Sequence, residues 1–154
     1  MQMVFLGGTA GNPADPAYNR WREDRVIPVL CAVGIPADCL FNPVVTDWNS
    51  EAQRREDEIK SDPNTFMLYV ITNPRTSGSE VSAYSLVELV IALYDEPKRT
   101  VVAFDTSELS PNTAKALTKA ISDLRKRFPS APIFDSIEDA TSWLAGRLLI
   151  PKVG

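Results

Sequence analysis

Apolar residues gather along this chain in short runs separated by longer amphipathic stretches. The runs at 3–6, 39–41, 66–71, 100–104 and 132–134 lack the in–out alternation of a half-exposed sheet. Short continuous apolar runs suit strands covered on both faces. Between them the spacing predicts helices over 18–33, 50–61, 79–94, 107–128 and 136–148. Strands alternating with helices predict βαβ units on a parallel sheet. Right-handed crossovers then put helices on both of its faces.

Turn and cap chemistry marks several ends. Ser50-Glu51-Ala52-Gln53 has the Ser-x-x-Gln form of a capping box. Pro111 suits the first turn of its helix, and Ser136 leads into Ile137-Glu138-Asp139, acidic residues that favour a helix N-terminus. Gly34 and Pro36 close the first helix, and Pro28 kinks or divides it. Residues 11–16, rich in Gly, Pro and Asp, read either as a loop over a pocket or as a long surface loop. Residues 151–154 read as a loose tail.

A length of 154 residues suits one domain, with 44% hydrophobic and 23% charged residues. A net charge of −4 without a basic stripe argues against a nucleic-acid polymer as partner. A free nucleoside or nucleotide needs only a local site. No apolar run approaches the roughly 20 residues of a membrane span. The opening residues lack a basic segment and read as a first strand rather than a signal peptide. Cys31 and Cys39, without a CxxC motif, read as reduced, buried thiols of a cytoplasmic protein. Histidine is absent. That excludes Ser-His-Asp and Cys-His nucleophilic machinery and HExxH zinc sites, and leaves proton transfer to Asp, Glu, Tyr, Lys, Cys or water.

Against this background one carboxylate stands out. Glu88 interrupts the apolar run Leu86-Val87-Glu88-Leu89-Val90-Ile91-Ala92-Leu93. An unpaired buried charge is costly, so the residue is either turned to solvent or kept for a purpose. Tyr84 and Ser85 lie four and three positions before it, on the same helix side, and a tyrosine hydroxyl there could orient the carboxylate. The competing reading makes Ser85, Glu88, Ala92 and Asp95 the solvated stripe of an amphipathic helix. Loops leaving strand C-termini supply further candidates. Gly7-Gly8-Thr9 follows the first strand and lets a ligand approach the backbone, or is a plain turn. Asn42, Asp47 and Trp48 lie beyond the second, as a polar edge beside a flat indole or as a cap and a packed ring. Asn73 and Arg75 lie beyond the third, with Arg75 either facing an anion or solvated.

Taken in order, several segments resemble the nucleoside 2-deoxyribosyltransferase-like family. They are Val4-Phe5-Leu6-Gly7-Gly8-Thr9, Trp21-Arg22, Phe41-Asn42-Pro43 with Asp47-Trp48, Leu68-Tyr69-Val70-Ile71-Thr72 and Tyr84-Ser85-Leu86-Val87-Glu88. The likeness spans about residues 3–105. It implies a flavodoxin-like, Rossmann-like three-layer α/β/α sandwich with a five-stranded parallel sheet in the order 2-1-3-4-5. It also implies a nucleoside or nucleotide pocket and a homodimer or larger homo-oligomer. Glu88 matches the glutamate that attacks the anomeric carbon, releasing the base and leaving a deoxyribosyl-enzyme for a second base or water. In that scheme Gly7, Gly8 and Thr9 line the sugar end, and Tyr84 or Ser85 orients Glu88. Asp47, with Glu80 as the lesser candidate, handles the leaving base and Trp48 walls it. No metal or cofactor is required. Where the family carries aspartates, this chain has Asn73 and Ser82, which points also to an N-glycoside hydrolase or to a homologue that binds a nucleotide without turnover.

Overall fold

A computed structural model describes residues 2–45, 47–76 and 81–149. Strands β1 (Val4–Gly8), β2 (Leu40–Phe41), β3 (Phe66–Ile71), β4 (Thr100–Phe104) and β5 (Ile133–Phe134) form one sheet. All pairings are parallel, in the order β2-β1-β3-β4-β5. Helices α1 (Ile27–Ala32), α2 (Ser50–Ser61), α3 (Ala83–Asp95), α4 (Pro111–Arg127) and α5 (Ile137–Leu149) flank it. This is the three-layer α/β architecture expected from the alternation of elements.

Strand periodicity divides the core in two. Val4, Leu6, Leu68, Val70, Val101 and Ala103 point to the face covered by Trp21, Val26, Leu30 and α5. Phe5, Met67, Tyr69, Ile71, Val102 and Phe104 point to the face covered by α3 and α4. Helix α2 approaches this second face but brings little apolar surface; Glu56 is its one buried residue and Ile59 packs only in part.

Several boundaries differ from the sequence reading, each for a local reason. Strand β1 runs on through Gly7 and Gly8, which pair with Tyr69 and Val70; the two glycines are the end of the strand and not a turn after it. The first helix divides at Pro28: a π-helical turn, Arg22–Val26, leads into α1. The chain before it is tied elsewhere, since Asn19 N donates to the Pro74 carbonyl and its side chain to the Asn73 carbonyl. Gly34 (φ 97°) closes α1, with Gly34 N bonded to Cys31 O and Ile35 N to Leu30 O, the paired bonds of a Schellman motif. Asn49, not Ser50, caps α2 by accepting from Ala52 N at 2.9 Å. Helix α4 starts at Pro111 because Ser107 is held in a turn by Asp105. Cys31 is exposed and Cys39 buried, with no disulfide between them, so the expectation of two buried thiols fails for Cys31. Residues 77–80, including Glu80, and the tail at 151–154 lie outside the described residues. Among the described residues no helix is long and apolar enough to cross a membrane.

The two positive-φ glycines separate backbone strain from steric exclusion. A Cβ on Gly8 (φ 105°) would stand 2.1 Å from the Val70 carbonyl oxygen, whereas one on Gly34 would meet nothing within 4 Å. Gly34→Ala should therefore cost about 1 kcal/mol, and Gly8→Ala about 3 kcal/mol or more, measured by urea unfolding.

Candidate functional site

The site begins with two missing side chains. On Gly7 a Cβ would sit 2.6 Å from the Phe5 ring and 2.7 Å from the Tyr69 ring. The bare backbone at the end of β1 becomes the floor of a cleft of 460 Å³, walled by Pro43, Val44 and Val45 after β2, by Gln53 and Glu56 of α2, and by Ser82, Tyr84, Ser85 and Glu88 at the start of α3. Gly11, Pro13 and Trp48 complete its rim. It opens at the C-terminal edge of the sheet, where ligands of open α/β folds bind.

Arg22 holds this floor from behind. It is buried, and its guanidinium donates to the carbonyls of Leu6 (2.8 Å), Thr9 (2.9 Å) and Gly8 (3.2 Å). No carboxylate forms an ion pair with it among the described residues. Burial pulls its pKa down to about 9, because desolvation penalises the charged form. Trp21 Nε1 also donates to the Thr9 carbonyl, and Thr9 Oγ1 accepts from Thr72 N. Thr9 is thus a buried brace between the loops after β1 and β3.

Over the Phe5 ring lies a charged cluster. Lys60 Nζ stands 2.8 Å from Glu56 Oε1, 2.8 Å from Glu88 Oε2 and 4.7 Å from the ring centroid. Burial opposes its charge, but the two carboxylates outweigh that and raise the ammonium above its ordinary range. Tyr69 lies beside it, its phenol pushed up to about 12, first by burial and, against the pull of Lys60, by the nearby Glu88 and Glu56. The Glu88 side chain is only 18% exposed. The solvated-stripe reading of α3 is therefore overturned. Ser85, Leu89, Ala92 and Leu93 face inward, while Tyr84, Val87, Ile91 and Tyr94 face out. Glu88 is not a lone charge either, since Lys60 pairs with it.

The structure gathers Gly7, Gly8, Trp48, Tyr84, Ser85 and Glu88 around the cleft. Trp48 is half exposed and Tyr84 is 71% exposed, and no hydrogen bond joins Tyr84 to Glu88 among the described residues. Asp47 is exposed and does not line the cleft. Asn42 is turned to its own loop, accepting from Val44 N and donating to Glu23. Asn73 donates to the Glu108 carbonyl and accepts from Arg75 N, and Arg75 is spent on the Glu108 carboxylate. Glu56 and Lys60 are the site residues that sequence reasoning missed. On α2 they read as two more charges among many (Ser50–Ser61), and only their i, i+4 spacing hinted at a pair. No group of acidic or thiol side chains is placed to hold a metal ion among the described residues.

Comparison of the chain with protein-family models, with curated proteins and with solved structures finds no match in any of the three.

Tyr69 offers a solution signature of the cluster. Its raised pKa means that the phenol is neutral in both folded and unfolded chains below about pH 10, so its contribution to stability is fully present there. That contribution is lost as the pH climbs from 10 toward 12. Ultraviolet titration of tyrosinate should show one late-titrating phenol that Tyr69→Phe removes, and the variant should lose less stability over that range than the wild type.

Proposed function

We propose that this protein cleaves the N-glycosidic bond of a 2'-deoxynucleoside or its 5'-phosphate, passing the sugar through Glu88 to water or to a second base. The observation that carries this reading is the state of Glu88. It is a mostly buried carboxylate in the cleft beside Gly7 and Gly8, with Oε2 held by Lys60 and Oε1 free of any hydrogen bond among the described residues. In the first step Oε1 bonds to the anomeric carbon as the C–N bond breaks and its electron pair leaves with the base. Splitting the displacement into two steps through a carboxylate is the logic of retaining glycosyl transfer. Gly7 and Gly8 line the cleft at the end of β1, where a sugar ring can rest against their backbone, and Trp48 offers the base a flat apolar wall. The resemblance of the segments around Gly7, Trp48 and Glu88 to the nucleoside 2-deoxyribosyltransferase-like family supports the same assignment. Two cysteines that form no disulfide with each other suit a reducing, cytoplasmic compartment.

A second reading, a domain that binds a nucleotide without turning it over, is favoured by one specific observation. Asn73 and Ser82 stand where the family carries aspartates; Asn73 is bonded away from the cleft, and Ser82 caps α3 by accepting from Ser85 N. Incubation with 2'-deoxynucleosides and their monophosphates separates the two, since the enzyme releases free base and the binder only retains the ligand. Glu88→Ala should lower base release at least about 100-fold. An unchanged rate removes Glu88 as nucleophile.

We also propose that the protein acts as a homodimer through α3. Tyr84, Val87, Ile91 and Tyr94 are all more than half exposed and follow the 3-4-3 spacing of a helix–helix seam. Light scattering should give a dimer for the wild type and a monomer for Val87→Asp/Ile91→Asp. A monomeric wild type refutes the pairing.

A further inference from the structure

We propose that Glu56 is the proton-transfer partner of Glu88 in the reaction proposed above, on which this assignment rests, and that Lys60 couples the pair. Glu56 and Glu88 both line the same cleft. Each gives one oxygen to the Lys60 ammonium at 2.8 Å. The two bonded oxygens therefore lie no farther apart than twice that distance. That bound admits the separation of about 5–5.5 Å of retaining glycosyl transfer, in which one carboxylate attacks carbon and the other moves a proton. Neither carboxylate has a second ion-pair partner among the described residues, so each has an oxygen left for chemistry.

The reaction needs one proton on the pair when it starts: Glu88 attacks as the carboxylate, and Glu56 carries the proton that the departing base will take. In the first step Glu88 Oε1 forms its bond to the anomeric carbon, the C–N pair departs with the base, and the Glu56 proton passes to that base. Glu56 is now the ionised partner of Lys60 and Glu88 an uncharged ester, so the local charge has not changed. In the second step an acceptor, water or a base, gives its proton to Glu56 as its lone pair bonds to the anomeric carbon. The ester pair then returns to Glu88, and the cycle closes with no net gain or loss of protons at the site. Glu56 is catalytic in this scheme; Lys60, which acts through both carboxylates, is a positioning residue.

The test uses Glu56→Gln, which keeps the shape of the side chain and an oxygen for Lys60, in the intact protein. The substrates are the four common 2'-deoxynucleosides and their 5'-monophosphates. Turnover should fall about 10²- to 10⁴-fold. With 7-methyl-2'-deoxyguanosine, whose cationic base leaves without needing a proton, a deoxyribosyl adduct should accumulate, seen by intact mass, and the azide test uses the same substrate. Sodium azide, a nucleophile that needs no base, should restore turnover of the variant with formation of the deoxyribosyl azide, and should leave the wild type unaffected. Glu56→Asp, which keeps the acid on a shorter arm, should retain part of the turnover and gain nothing from azide, which covers the case that the glutamine variant fails to fold. Turnover of the glutamine variant within about threefold of wild type overturns the role of Glu56 and leaves Glu88 standing. So does a loss with neither adduct nor azide rescue. A wild type that releases no base and forms no adduct overturns the glycosyl-transfer reading itself, and with it this one.

Discussion

A guanidinium bonded to backbone carbonyls holds the end of the first strand. Arg22 donates to three successive stretches of backbone at Leu6, Gly8 and Thr9 and lies against the Trp21 ring at 4.1 Å. Carbonyl groups spread over a strand end compensate a buried charge more weakly than a carboxylate does, and the lowered pKa of Arg22 records that cost. What the arrangement secures is position. Strand β1 keeps its pairing with β3 through Gly8, the loop after it is fixed to Thr72 by the Thr9 hydroxyl, and the cleft floor sits at a set height above Phe5. The π-helical turn at Arg22–Val26 is part of this constraint. It precedes Pro28, which can donate no backbone hydrogen bond, and it carries Arg22 and Val26 inward together.

On the opposite side of the floor the polarity of the chain runs against expectation. Helix α3 turns its serine and its glutamate inward and four large apolar residues outward. Helix α2 contributes a glutamate and a lysine where a packed helix would contribute leucines. The gap between the two helices is thus filled by charge. Such a network is held only while each member keeps its partner, because removing one leaves another uncompensated in a partly buried site. A fold free to choose for stability alone would put apolar side chains there, and the departure from that choice falls at the mouth of the sheet rather than in its interior.

The architecture was legible because it follows from periodicity. Five apolar runs and five amphipathic stretches became five strands and five helices, whereas the sheet order came only from the family resemblance. Pro28 and Gly34 each acted where their backbone chemistry requires. Boundaries failed where a side chain or a distant loop captured the backbone, as Asn19 is captured by the Asn73–Pro74 loop and Ser107 by Asp105. The site was legible in part. Glu88 announced itself as a charge in an apolar run, and the glycines as a stretch without side chains. Asn42 and Asn73 misled because an amide in a loop looks the same whether it faces a ligand or closes its own turn. Glu56 and Lys60 stayed hidden because their significance depends on a meeting across 28 residues, between Lys60 and Glu88, and no local pattern encodes it.

The three tryptophans occupy three different surroundings. Trp21 is sealed in the core, Trp143 is partly covered by Phe66 and Phe134, and Trp48 stands half in solvent on the rim of the cleft. Indole emission depends on contact with water, so the red edge of the intrinsic fluorescence belongs chiefly to Trp48. A molecule that settles against the rim dims or shifts that component and leaves the other two unchanged. The chain therefore carries its own optical gauge of occupancy, readable without a label.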